Sequence, residues 1–443
     1  MATDVAIMES VFPGEMPLNV AADWTESMTK PNVSVLIPTF NRAHFLAECL
    51  DSVLGQTIPP SQVIVINDGS TDNTREVIAP YMDRIEYIEK ENGGKSTALN
   101  FAMPRVRGDY VWIMDDDDVA LPDAIETHLA VLDNEPDIGF TYTSGYIGRT
   151  GPRGGGIQVL RPSPLPGVPE GEFFIRYMQG CLVHHDAMVV RRACYAVLGG
   201  FDPELVRGQD YEMTLRLARR FRGLRIDKPT IIVRLHSGVR GSESDQFDAG
   251  RRFAKWREYD QKIFRRLRGE LELSEYLPAE VGNRPLGPLE MRRAYLTRMC
   301  MMVGKGIFDD MLCDLRHALA QTGEGPPLTQ PEQDCLSRAV GQLWPGDRLV
   351  CDPEFAKSVR LLCTGQAGRD VIIGMARGLY WPVKDALQAR RYQVFARIVL
   401  GAWRLVGLRG CLLAFMYKVR RALGPNGLRT PAGANGRASQ EPQ

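Results

Sequence analysis

Residues 33–66 read VSVLIPTFNRAHFLAECLDSVLGQTIPPSQVIVI. The apolar runs Val33-Ser34-Val35-Leu36-Ile37 and Val63-Ile64-Val65-Ile66 are short and rich in β-branched residues, as buried strands are. Between them, residues 43–54 place apolar side chains at helical spacing. Strand, helix, strand in that order predicts a βαβ unit with parallel strands. The pattern continues outward. Ile85-Glu86-Tyr87-Ile88 and Val111-Trp112-Ile113-Met114 read as further strands, with helices over 73–80 and 96–105 between them. Strands over 138–143, 187–190 and 230–234 and a helix over 209–220 extend the series. The sequence therefore predicts an α/β fold with a mostly parallel sheet.

The rest of the chain divides by composition. Residues 1–30 are aperiodic and read as a flexible leader. Residues 148–170 (GRTGPRGGGIQVLRPSPLPGVPE) are dense in Gly and Pro and read as a mobile loop. The pattern turns helical near Phe247 and stays so to 422, and the last residues read as a disordered tail. The expected organisation is an α/β domain over 31–255, an appended C-terminal helical domain over 256–422 and a tail over 423–443. Lys plus Arg and Asp plus Glu each number 54, so the formal charge is zero, which argues against a nucleic-acid coat protein. Nine cysteines without a CxxC pair fit neither a disulfide framework nor a zinc cluster. They point to a reducing, cytoplasmic setting. The first residues lack a basic segment followed by an apolar run, so no signal peptide is expected. No stretch of about eighteen apolar residues is free of charge, so no spanning helix is expected.

Chemistry concentrates at strand ends. Asp115-Asp116-Asp117-Asp118 directly follows the strand ending at Met114. Two unit charges about 4 Å apart repel by about 4 kcal/mol at an effective dielectric of 20. A divalent cation relieves such a cluster, and oxygen ligands favour Mg²⁺ or Mn²⁺. A solvated acidic turn is the alternative. Pro38-Thr39-Phe40-Asn41-Arg42 follows the first strand and Asn67-Asp68-Gly69-Ser70-Thr71-Asp72 the second. Each alone serves as a turn and helix cap. Three such clusters beyond the carboxyl ends of strands in one sheet mark the usual ligand site of open α/β folds.

Five segments carry a resemblance: PNVSVLIPTFNRAHFLAECLDSVLGQT, VIVINDGSTDNT, ENGGKSTALN, GDYVWIMDDDDVALPD and GGFDPELVRGQDYEMTLRLA. In this order they resemble glycosyltransferase family 2 over residues 31–240. The resemblance implies the GT-A (nucleotide-diphospho-sugar transferase) fold and inverting transfer from a nucleotide sugar, with a UDP-sugar as the default donor. It places Thr39, Arg42, Asp68, Lys95, Asp115 and Asp116 around the nucleotide, with Asp68 on the base and Lys95 near the base or ribose. It makes Asp117 the direct metal ligand, with Asp115 and His236 as further ligands of Mn²⁺ or Mg²⁺. Asp210 becomes the catalytic base. Gln209 stands where the family usually has Glu, so a charge is lost beside the base. His236 reads equally as a structural residue, and His184 and His185 as packing residues or as contacts to acceptor or diphosphate. The QxxRW motif of the family's processive polymerases is absent, which implies one sugar per encounter.

From Ala386 to Thr430 there are nine Arg or Lys and no acid, interleaved with apolar residues such as Phe395, Trp403 and Phe415. Such a helix can lie on an anionic bilayer surface or pack on the protein with its Arg stems outward. The expected partners are a nucleotide-sugar donor, a glycan, lipid-linked or small-molecule acceptor, and a membrane surface touched by 386–430, with no nucleic acid. The expected location is the cytoplasm, extending to the inner membrane face. The alternatives are a polyprenyl-phosphate sugar synthase and a non-catalytic sugar-nucleotide-binding protein.

Overall fold

The computed structural model describes residues 32–169, 171–236, 252–278, 281, 284–321, 326–343 and 347–423. The leader expected over 1–30, the helical onset at Phe247 and the tail from 424 onward lie outside the described residues. The chain forms two compact units. One combines the residues up to Val168 with Cys181–Tyr259, and the other combines Pro169–Gly180 with the residues from Asp260 onward.

The first unit holds all nine strands: β1 (Val33–Thr39), β2 (Gln62–Asn67), β3 (Glu86–Glu89), β4 (Tyr110–Ile113), β5 (Val119–Ala120), β6 (Ile138–Thr150), β7 (Ile157–Ser163), β8 (Met188–Arg191) and β9 (Arg222–Arg234). They build one sheet in the order β3-β2-β1-β4-β8-β6-β9-β5, with β7 added on β6. Pairings among β3, β2, β1 and β4 are parallel. Beyond β4 the pairings are antiparallel, except that β6 runs parallel to β9. The expected α/β fold is present, and its sheet is mixed, with the parallel half contributed by the early βαβ units.

Every residue of β1 and β2 is buried, as strands covered on both faces require. Helix α1 (Ala43–Leu54) buries Ala43, Phe45, Leu46, Cys49, Leu50 and Val53, the stripe that its spacing announces. Further helices of the first segment are α2 (Thr74–Ile78), α3 (Lys95–Ala102) and α4 (Ala124–Leu132). Helix α5 (Phe173–Gln179) belongs to the second unit, and α6 (Arg192–Leu198) and α7 (Gln209–Arg220) to the first. Trp112 is fully buried on β4 and its indole N–H donates to the Asp186 carbonyl at 2.6 Å, tying β4 to the turn before β8.

The loop expected over 148–170 is a correction. β6 continues to Thr150, and β7 folds back on it, Gly145 opposite Ser163 and Thr150 opposite Ile157. The glycines of residues 151–156 make the reversal. β7 has β6 as its single partner, and an edge strand tolerates a proline such as Pro162. Composition located the turn and hid the strands that flank it.

The second unit is helical. After α8 (Arg252–Glu270), which straddles the division, come α9 (Pro288–Lys305), α10 (Phe308–Ala320), α11 (Gln330–Val340), α12 (Arg348–Cys351), α13 (Pro353–Leu362), α14 (Gly365–Gly378), α15 (Tyr380–Gln388) and α16 (Tyr392–Leu423). Buried charges here are paired. Arg292 meets Glu332 through two bonds of 3.0 Å, and Asp314 takes the guanidinium groups of Arg268 and Arg298. Removing one partner would strand the other in a dry environment. α16 is interrupted at Gly407, whose φ of 66° breaks the helical path. Among the described residues no helix is long and apolar enough to cross a membrane.

His128 on α4 supplies a test of this core. Its ring is fully buried, with Nδ1 2.8 Å from the Thr141 hydroxyl, and burial pushes its pKa down to about 3. An unfolded histidine protonates near 6.5, so the stability held by the neutral ring is complete above that pH and drains as pH falls from about 6.5 toward 3. The loss is about 1.4 kcal/mol per pH unit well inside that window. Urea unfolding at pH 6.5 and 5 should show a steeper loss for the wild type than for His128→Gln. Equal losses would mean that His128 takes up its proton without penalty.

Candidate active site

The site grows from loops that follow β1 and β2. Asp68 N–H donates to the Thr39 carbonyl at 2.9 Å. Asn41 adopts the left-handed conformation (φ 54°), which Asn tolerates better than most residues. Its N–H donates to the Ser70 hydroxyl at 2.9 Å, and its side-chain oxygen accepts from Thr71 N–H at 2.8 Å. Asp72 accepts from Ala43 N–H at 3.0 Å, at the start of α1. The two loops thus form one platform, and Arg42 leaves it toward the aspartate run.

Asp68 organises the next segment. Its buried carboxylate accepts from Lys90 Nζ at 2.6 Å, Gly94 N–H at 2.7 Å, Gly93 N–H at 3.1 Å and Asn92 Nδ2 at 3.2 Å. Gly69 makes this approach possible: its φ is 79°, and a Cβ there would lie 2.8 Å from Asn92 N. The sequence reading set Asp68 against a base; here its oxygens are taken by the loop that leads into α3. Lys95, the first residue of α3, is ion-paired with Asp115. Burial works against its charge, but the Asp115 and Asp210 carboxylates outweigh it and hold the ammonium above its ordinary range.

Each member of the aspartate run has a different partner. Asp116 Oδ1 accepts from Arg42 Nη1 at 2.8 Å. Burial nevertheless pushes Asp116 up to about 6, against the pull of Arg42. Asp117 Oδ2 lies 3.0 Å from Arg42 Nη1 and 2.7 Å from His236 Nε2. Asp118 Oδ1 accepts from Arg234 N–H at 2.7 Å. Asp118 is also hydrogen-bonded to Asp186, and burial together with the Asp117 and Asp186 charges raises it well above the carboxylate range.

Ligand oxygens of Asp115, Asp117 and Asp118 lie within 4.8 Å of one another. Three carboxylates in that space fit a hard divalent cation. Asp115 and Asp117 were anticipated; Asp118 joins them, while His236 stands beside the group on Asp117.

Arg234 was missed by the sequence reading. It is 1% exposed, and its Nε donates to the Asp117 carbonyl at 2.7 Å, Nη1 to Thr150 at 2.8 Å and Nη2 to Glu48 at 2.5 Å. The available signal was an arginine closing the apolar run Ile231-Ile232-Val233, because a buried cation needs partners.

Asp210 lies in the first turn of α7 and accepts from Tyr211 N–H at 2.8 Å. Burial pushes its pKa up, but Lys95, His185 and Arg207 together outweigh burial and hold it below the usual carboxylate range. It is therefore ionised at neutral pH. His185 occupies the turn before β8, where burial and then the Lys95 charge push it down to about 4, so its ring is neutral. Asp115, Lys95, His185 and Asp210 act on one another electrostatically, so the expected metal, nucleotide and base residues share one neighbourhood.

Residues 34–195 match the family model Glycosyl transferase family 2. The α/β domain belongs to this family. An uncharacterized glycosyltransferase from Rickettsia felis is 30% identical over 191 residues, 43% of this chain and 32% of that protein. The chondroitin synthase of Pasteurella multocida is 33% identical over 192 residues, 42% of this chain and 19% of that protein. The match thus spans a third or less of the length of these two relatives. Among solved structures, S. aureus TarS 1-349 aligns over 84% of this chain and 91% of that chain, with 16% identity and a TM-score of 0.42. The quoted motifs of the family 2 domain up to Asp118 fall inside the matched segment, whereas Asp210 and His236 lie beyond it.

Replacing Asp68 by Ala should leave the Lys90 ammonium and the Gly93 and Gly94 amides without their acceptor, costing about 1–3 kcal/mol. Urea unfolding measures the loss, and hydrogen exchange at Gly93 and Gly94 should quicken. Unchanged exchange at both glycines would show that Asp68 does not hold the loop.

Proposed function

We propose that this chain is a metal-dependent, inverting glycosyltransferase. It moves a sugar from a nucleoside diphosphate sugar, with UDP as the nucleotide, to a hydroxyl of a glycan, lipid-linked or small-molecule acceptor, one sugar per encounter. The observation that carries this reading is the shared neighbourhood of a three-carboxylate group, a half-buried lysine and a half-buried, ionised Asp210 in a family 2 domain.

In this reading Asp117, with Asp115 and Asp118, would hold Mn²⁺ or Mg²⁺, and His236 orients Asp117. When bound, the cation supplies Lewis-acid stabilisation of charge on a departing diphosphate. Arg42 and Lys95 bring positive charge to the same rim and orient the phosphates. Asp116 and the Thr39 hydroxyl face the ribose side, and the loop held by Asp68 borders the base. Asp210 accepts the proton of the acceptor hydroxyl as that oxygen attacks the anomeric carbon. The bond to the diphosphate breaks on the opposite face, and the configuration inverts. The domains follow the division already described, with the α/β unit binding the donor and the helical unit lying beyond it in sequence.

Helix α16 supports peripheral contact with the inner face of an anionic membrane from the cytoplasm. Tyr392, Val399, Leu400 and Trp403 are exposed, and Arg397 and Arg404 lie among them with no acid in the segment. Basic helices with exposed aromatic and aliphatic groups bind such surfaces. The same feature favours a second reading, a synthase whose acceptor is a polyprenyl phosphate.

Two experiments test these readings. In a release assay with UDP-sugars, Mn²⁺ and candidate acceptors, Asp210→Asn should lower kcat about 10²–10⁴-fold while UDP binding persists. Retained turnover would overturn the base and favour a phosphate acceptor, which needs none. In sedimentation with vesicles containing phosphatidylserine, wild-type protein should pellet and Leu400→Ser/Trp403→Ser should stay in the supernatant. Equal distribution of the two would refute the membrane contact.

A further inference from the structure

His185 is 6% exposed, yet neither ring nitrogen has a hydrogen-bond partner. His128, also buried, is bonded at Nδ1 to Thr141 and lacks a partner at Nε2 alone. A second orphan lies close by in the fold: Gln209 is 5% exposed and its Oε1 is also without a partner. Helix α7, which Gln209 opens, packs against the turn His185–Ala187. The His185 ring is fixed from another side by Phe201, edge-on at 6.0 Å between centroids. Buried polar atoms in native proteins are nearly always satisfied, and unsatisfied ones cluster where a ligand or water completes them.

The chemistry of the orphans selects the ligand. A neutral imidazole offers one N–H donor and one acceptor nitrogen, and an amide oxygen offers an acceptor. An anion would use the donor alone, and an apolar group none of them. A sugar hydroxyl donates and accepts at once. The turn also stands among the groups of the site: Asp186 bonds to Asp118, and Lys95, Asp115 and Asp210 act on His185.

We propose that His185, with Gln209 beside it, hydrogen-bonds a hydroxyl of the sugar at the Asp210 end of the site, and so selects and positions that sugar. The inference rests on the glycosyltransferase reading. The hydroxyl comes from the donor sugar or from the acceptor, and the two are separable by kinetics.

The test uses the full chain with Mn²⁺, UDP, and UDP-glucose and UDP-N-acetylglucosamine in turn. UDP alone should bind wild type and His185→Ala equally, because it carries no transferred sugar. kcat/KM should fall about tenfold or more in His185→Ala, the loss of one or more hydrogen bonds in the transition state. His185→Gln, which keeps a donor and an acceptor, should recover much of this. A loss already present in donor hydrolysis without acceptor assigns the donor sugar; a loss confined to acceptor KM assigns the acceptor. Equal kinetics of wild type and His185→Ala would overturn the inference alone, as would UDP binding lost in step with turnover. Should His185→Ala fail to fold, Gln209→Ala and His185→Gln carry the same comparison, and wild-type kinetics in both would overturn it. A wild type that neither binds UDP nor turns over either sugar nucleotide would overturn the glycosyltransferase reading itself, and this inference with it.

Discussion

Four consecutive carboxylates cannot share one turn at the edge of a sheet unless something offsets their repulsion. In this protein the offset comes from elements far apart in sequence. Arg42 arrives from the end of β1, Lys95 from the first turn of α3, and Arg234 and His236 from the end of β9. The sheet brings these termini to one rim, β1 and β4 from its parallel half and β9 from its mixed half.

The same arrangement divides labour among acids. Asp116 is buried under Arg42, Asp118 accepts from the Arg234 N–H, Asp115 is paired with Lys95, and Asp117 lies beside Arg42 and His236. Asp210 sits apart on α7, where burial raises its pKa and Lys95, His185 and Arg207 together bring it below the usual carboxylate range. One lysine thus faces both the acidic rim and Asp210.

Much of this was legible in the residues. Unbroken apolar runs announced strands buried on both faces, and a helical stripe between them announced parallel connection. Acidic and amide residues directly after those runs announced the site. What stayed hidden depended on contacts between distant positions or on context that composition obscures. Arg234 read as the end of a strand because nothing local shows that its guanidinium turns onto the Asp117 carbonyl. Asp118 read as one more acid in a run, since its partner Asp186 lies on a different strand connection. β7 was lost among glycines and prolines because an edge strand needs only one neighbour and tolerates both. His185 read as packing or as a contact to acceptor or diphosphate, because an unsatisfied nitrogen is a property of surroundings, not of sequence.

The account stands on the acidic rim gripping a cation that also touches a diphosphate. Electron paramagnetic resonance of Mn²⁺ titrated into the protein, followed by ³¹P relaxation of added UDP, reads both contacts in one sample. The account predicts that the free-Mn²⁺ signal is quenched by wild-type protein in the presence of UDP, with both phosphorus resonances strongly broadened, and that Asp117→Asn abolishes the effect. A free-Mn²⁺ signal and sharp phosphorus lines in the wild type, at millimolar UDP, would contradict it.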